Sequence, residues 1–182
     1  MGNLKVLRPG DLFCSRSKGA LSCAIRVVQW FWSTDNESTY NHTGVVANPE
    51  GGTVEARWRI HHYRLKDQLG HRVLIARNLG MTPIRAATGL AVVEKDVGCL
   101  YPVWRLPLHL LKLSKFFAFG PGVCSELTGK FMAGAGFKNI VYGLTPDDLA
   151  DRWRIDKDME VIFEGQLTIE VLAELTNGRW EK

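Results

Sequence analysis

The sequence is short of the features that would give a quick assignment. Its four cysteines, at positions 14, 23, 99 and 124, include no C-x-x-C pair, and their spacing against the five histidines gives a zinc site no support. No apolar run approaches the roughly 18 residues of a membrane-spanning helix. The start, Met1-Gly2-Asn3-Leu4-Lys5-Val6-Leu7-Arg8-Pro9, lacks the apolar core of a secretory signal, and Val6 stands where a myristoylation start calls for Ser or Thr. The expectation is a cytoplasmic chain with reduced thiols. Charge of one sign is also scarce. With 23 basic and 19 acidic residues the net charge is +4, too mild and too dispersed for a nucleic-acid footprint. Nothing repeats and nothing is of low complexity. What is present is a chain of 182 residues, 46% hydrophobic, expected to form one domain over 1–182 with a proper core.

Along that chain, turn residues and periodicity mark out short elements. Arg8-Pro9-Gly10-Asp11 reads as a turn leading into an apolar strand at Leu12-Phe13. Leu21, Ile25, Val28 and Trp32 recur at helical spacing, with Trp30, Phe31 and Trp32 as bulky core or wall residues at the end. His42–Ala47 and Thr53–Trp58 flank Asn48-Pro49-Glu50-Gly51-Gly52 and predict a hairpin. His42 and Glu55 share a face of it only if paired residue numbers have an odd sum, as when Val46 lies opposite Thr53. Arg59–Arg64, with its adjacent His61 and His62, reads as a mildly basic solvated face. Arg72–Arg77 is an apolar strand. Thr82-Pro83 opens a helix that Gly98 closes, with Ile84, Ala87, Ala91 and Val97 as the buried stripe. The segment Tyr101–Lys115 carries no legible pattern. Thr145-Pro146-Asp147-Asp148 opens another helix with a capping box, flanked by Leu144 and Leu149. A strand at Val161–Phe163 and a helix through Leu172 and Leu175 follow. Helices and strands alternate without a βαβ rhythm, so the class is α+β.

One stretch organises the rest. Pro121-Gly122-Val123 leads into Cys124, and Leu127, Phe131, Met132 and Ala135 then mark one face of a helix. The first turn of a helix carries unpaired N–H groups and the positive end of the dipole, which favour the thiolate of a cysteine placed there. The same N–H groups suit the oxyanion formed when a carbonyl is attacked. A buried structural cysteine is the competing reading. A nucleophile needs a base, and the base an orienting group. His42 at the head of a strand, with Glu55 accepting from its ring, would supply both. The competing readings are that His42 caps a strand and that Glu55 pairs with Arg57 or Arg59.

Gly10-Asp11-Leu12, Asn41-His42-Thr43-Gly44-Val45-Val46, Val54-Glu55-Ala56 and Val123-Cys124-Ser125-Glu126-Leu127 follow one another in a recognisable order. With them the chain resembles the permuted NlpC/P60 superfamily, most of all its YiiX-like group of papain-like cysteine hydrolases. The resemblance covers about residues 8–165. It implies a circularly permuted papain-like fold, a central antiparallel sheet packed with helices. It further implies Cys124 as nucleophile, His42 as general base and Glu55 as orienting acid; the Cys124 N–H would contribute to an oxyanion hole, and Tyr40 and Tyr101 are the candidates for a second donor that the resemblance does not identify. Asn41 stands where the family commonly has Ser, and Gly122-Val123 replaces an aromatic residue before the cysteine; both departures bear on substrate shape. The implied function is cleavage of an amide, in a peptide or cell-wall peptide, through a thioester acyl-enzyme and without metal or organic cofactor. The alternatives are a lipid ester or amide acyl hydrolase or acyltransferase on the same site, a non-catalytic binding module that keeps the fold, and an anion-binding protein using Arg57–Arg64. The expected partner is a peptide, a cell-wall fragment or an acylated small molecule.

Overall fold

The short apolar runs between turns pair as strands. The computed structural model describes residues 4–17, 39–100, 123–138, 140 and 144–181. Within these, β1 (Leu12–Ser15), β2 (His42–Val46), β3 (Gly52–Ala56), β4 (Ile60–Arg64), β5 (Arg72–Asn78) and β6 (Met159–Gln166) form one sheet in the order β4-β3-β2-β1-β5-β6. Every neighbouring pair is antiparallel. The described residues also form four α-helices: α1 (Pro83–Glu94), α2 (Cys124–Gly134), α3 (Pro146–Ile155) and α4 (Ile169–Thr176). The architecture is α+β.

Side-chain alternation splits the apolar residues of the sheet between two layers. Leu12, Cys14, Val45, Val54, Leu74 and Ala76 pack with Val93 of α1, Leu127 and Phe131 of α2, and Ala150 and Trp153 of α3. On the opposite face Phe13, Val46, Val73 and Ile75 pack with Leu172 and Leu175 of α4. The neighbouring inner strands β1 and β5 are tied at one end by a buried pair: Asp11 accepts from Arg77 Nε at 2.7 Å and Nη2 at 2.8 Å, and from the Arg8 N–H at 2.7 Å. The Gly10-Asp11-Leu12 motif is thus structural here, joining the head of β1 to the end of β5.

Local capping chemistry is as the sequence predicts. Thr82 accepts from the Arg85 N–H, with Pro83 in the first turn of α1. Thr145 and Asp148 exchange hydrogen bonds reciprocally at the head of α3, from the Asp148 N–H at 3.2 Å and the Thr145 N–H at 2.9 Å. Leu172 and Leu175 are buried, and β6 extends well beyond Val161–Phe163 at both ends.

The stripe expected on α1 holds only at Val97, which lies past the helix end and packs partly buried against the core. Ile84, Ala87 and Ala91 are exposed, and the helix buries Ala86, Gly89 and Val93 instead, ending at Glu94, short of Gly98. The reason is the crossing with α2: a Cβ on Gly89 would lie 2.7 Å from both the ring and the carbonyl oxygen of Phe131. Close backbone approach selects the glycine for the interface, and the helix turns its larger Ile84 outward. The expected helix over Ala20–Trp32, with its aromatic cluster, and the Tyr101–Lys115 stretch lie outside the described residues. Among the described residues no helix is long and apolar enough to cross a membrane.

Candidate active site

The β2–β3 hairpin has the odd-sum register: Gly44 pairs with Glu55, Val45 with Val54 and Val46 with Thr53. His42 and Glu55 therefore share a face diagonally, and His42 Nε2 meets Glu55 Oε2 at 2.7 Å. Between them stands Gly44, where a Cβ would come within 2.8 Å of both Glu55 Cγ and the Phe13 ring. The missing side chain is the space that the carboxylate occupies. Gly44→Ala is therefore expected to displace Glu55, lowering stability by about 1–3 kcal/mol and activity by about 10²-fold. Denaturant midpoints and initial rates on the same preparation check both effects; an unchanged rate would contradict this account of Gly44.

Glu55 is fully buried and has three donors. The Thr53 hydroxyl gives to Oε1 at 2.5 Å, while Arg57 Nε gives to Oε2 at 2.8 Å, the oxygen that also meets His42. Pairing with Arg57 and pairing with His42 are not alternatives; the carboxylate does both. Burial would raise its pKa, but the hydrogen bond and charge of His42, with Arg57 and Thr53, outweigh this and hold it below the ordinary value.

Cys124 is the first residue of α2 and is buried. The N-cap Val123 offers no side-chain acceptor, and Glu126 takes the Val123 N–H at 3.0 Å, half of a capping box. Helix α2 lies on the sheet face opposite His42 and Glu55; one turn past Cys124, the Thr128 hydroxyl faces that of Thr43 at 3.4 Å. The two sides meet because His42 is the first residue of β2. The sheet ends there, and Cys124 reaches the imidazole around its edge. Nε2 is committed to Glu55, which leaves Nδ1 as the ring nitrogen open to a sulfur, and Cys124 is close enough to act on the ring's charge. Burial opposes a charge on His42, but its interactions with Cys124 and Glu55 outweigh this and lift its pKa from 6.5 to about 9.

The segment entering β2 is pinned from α3. Asp147, buried in the first turn, accepts from the N–H groups of Thr39 and Tyr40, each at 3.1 Å. Asn41 exchanges hydrogen bonds with the backbone of Ser17, its side-chain amide donating at 3.1 Å and its oxygen accepting at 2.9 Å. Tyr40 packs in the same core cluster as Cys124, but its hydroxyl donates to Glu164 on β6 at 3.1 Å, so the oxyanion donor expected there is already engaged. Burial and the Glu164 charge push its pKa up to about 12. Tyr101 lies outside the described residues. Cys14, fully buried, directs its thiol to the Pro146 carbonyl at 3.3 Å, and burial pushes its pKa well up. Cys14, Cys99 and Cys124 are free thiols. His61 and His62 lie exposed on edge strand β4, and among the described residues no cluster of His, Cys, Asp or Glu is arranged to hold a metal ion.

Asp147 and the part Arg57 plays went unassigned at the level of sequence. The one available signal was the double aspartate after Thr145-Pro146: Asp148 caps the helix, which leaves Asp147 for another task. No protein-family model matches the chain. A comparison with curated proteins also finds no match.

Proposed function

We propose that the protein is a thiol hydrolase of permuted papain-like, NlpC/P60 type that cleaves an amide in a peptide or cell-wall peptide. The observation that carries this reading is the imidazole of His42, held by the buried Glu55 at 2.7 Å and acted on by the thiol of a cysteine that opens a helix. Core packing alone requires neither the buried carboxylate nor the glycine that makes room for it.

In the reaction, Cys124 Sγ attacks the carbonyl carbon as thiolate, with its proton on His42. The backbone N–H of Cys124, unpaired in the first helical turn, faces the developing oxyanion. Imidazolium then protonates the leaving nitrogen as the C–N bond breaks, giving a thioester. His42, now neutral, takes a proton from water as the water oxygen attacks the thioester. Collapse releases the acid and returns the thiolate–imidazolium pair. Glu55 orients the ring through Nε2 and stabilises its cation throughout.

Since imidazolium is the acid that releases the amine, kcat/KM is expected to fall on an alkaline limb near pH 9, where His42 loses its proton. An acidic limb should report protonation of the Cys–His pair. A pH–rate profile checks this; a flat profile through pH 9 would contradict the role given to His42. The reading as a whole is tested by assaying matched amide, ester and peptidoglycan-fragment substrates with mass-spectrometric capture of an acyl-enzyme on Cys124. Turnover of lipid acyl esters alone would move the assignment to an acyl hydrolase or acyltransferase, and absence of any adduct would leave a binding module.

A further inference from the structure

We propose that Arg57 is the fourth member of this array, a positioning residue that fixes Glu55 and balances its charge so that the thiolate–imidazolium pair sits in a neutral enclosure. The inference rests on the hydrolase reading above. Its first support is register. Carried one step past Ala56, the β2–β3 pairing sets Arg57 beside His42, on the face that holds Glu55 and Thr53. Its second is a shared atom: Arg57 Nε and His42 Nε2 meet the same oxygen, Glu55 Oε2, at 2.8 and 2.7 Å. Movement of the guanidinium is therefore passed directly to the atom that orients the catalytic ring.

The rest of the side chain is held for this contact. The guanidinium carbon lies 4.2 Å above the ring of Tyr63 on β4, a cation–π seat. Nη2 is buried and has no hydrogen-bond partner among the described residues. A buried donor with no acceptor is unfavourable, and an exposed arginine serving only the surface would rotate it to water. Here Nε on Glu55 and the ring beneath fix the fork.

Charge explains why a cation is needed. Among the described residues, the groups facing His42 are Cys124 from α2 and Glu55 and Arg57 from β3; β1 presents the uncharged Phe13 ring, 6.2 Å away, and Glu126 of α2 is turned to the Val123 N–H. Thiolate and carboxylate against one imidazolium leave a net negative charge out of water, which is costly. Arg57 makes it two against two. The balance persists in the acyl-enzyme, where Cys124 and His42 are neutral and Glu55 faces Arg57 alone.

Arg57→Gln keeps a hydrogen-bond donor and removes the charge, whereas Arg57→Lys keeps the charge and loses the fork. With the cation gone, the carboxylate acts on His42 alone and imidazolium is favoured. The alkaline limb of kcat/KM should then rise by about one pH unit in Arg57→Gln. At neutral pH kcat should fall about tenfold with KM little changed, since Arg57 does not touch substrate. Arg57→Lys should return the limb toward its wild-type position. If Arg57→Gln does not fold, Tyr63→Leu loosens the guanidinium with every charge in place and should move the limb the same way by less. An unmoved or lowered limb, or a lysine no better than glutamine, would overturn the proposal. Cys124→Ala, assayed beside these variants, separates the two levels: if it retains turnover the hydrolase reading fails, and with it this inference. If it is dead while the limb stays fixed in the Arg57 variants, only the inference fails.

Discussion

Cys124→Ala is expected to abolish turnover, a loss on the order of 10⁴–10⁶-fold, while the protein stays folded. The substitution removes one buried sulfur at the head of α2 and leaves the Glu126–Val123 cap and the Leu127 and Phe131 packing in place. Its cost to stability should be about 1 kcal/mol. The same variant should lose the fast reaction with iodoacetamide at neutral pH. The other described thiols differ in kind: Cys14 is fully buried with its pKa pushed well up, and Cys99 is partly exposed. Peptide mapping after a brief exposure should find the label on Cys124. A fast thiol at Cys14, Cys23 or Cys99 instead would remove the nucleophile assignment.

His42→Ala is expected to cost about 10³–10⁴-fold in kcat/KM, and it carries a second signature in stability against pH. The folded-state pKa of His42 is raised from 6.5 to about 9, so the stability it contributes is fully present below pH 6.5 and is lost as pH rises through 9. Glu55 has the opposite sign. Its lowered pKa gives a contribution that is present above pH 4.5 and is lost as pH falls through the folded-state value. Wild-type stability should therefore decline between pH 6.5 and 9, and His42→Ala should flatten that decline while leaving Glu55 held by Arg57 and Thr53. Urea denaturation across that range measures it. If wild type and variant lose stability in parallel, His42 is not the titrating group.

What the sequence discloses depends on how far apart the interacting groups lie. Caps at Thr82 and Thr145 are legible because donor and acceptor sit within one turn. The hairpin register is legible as a condition, since only an odd sum places His42 and Glu55 together, and Gly44 turns out to be the residue that lets them meet. The buried face of α1 is not legible, because the partner that selects Gly89 over Ile84 is Phe131 of another helix. Asp147 escapes notice for the same reason: the donors it accepts from are backbone N–H groups at Thr39 and Tyr40 that only the fold brings near. Arg57 was visible as a rival for Glu55, but nothing in the order of residues says that one carboxylate oxygen serves both it and the histidine.

The distribution of these bonds along the chain also sets an order of assembly. His42 and Glu55 are 13 residues apart and belong to one hairpin. The contacts that bring α3 to the same region span 107 residues from Tyr40 to Asp147 and 132 from Cys14 to Pro146. Loops of that length close late, because their entropy is lost before the contacts repay it. A refolding chain thus gains its acid–base pair early and its nucleophile's surroundings last. Until the second half docks, the thiol is an ordinary one. The onset of Cys124 reactivity is therefore a clock for the final folding step, and its lag behind hairpin formation measures how long the chain exists folded in part and chemically silent.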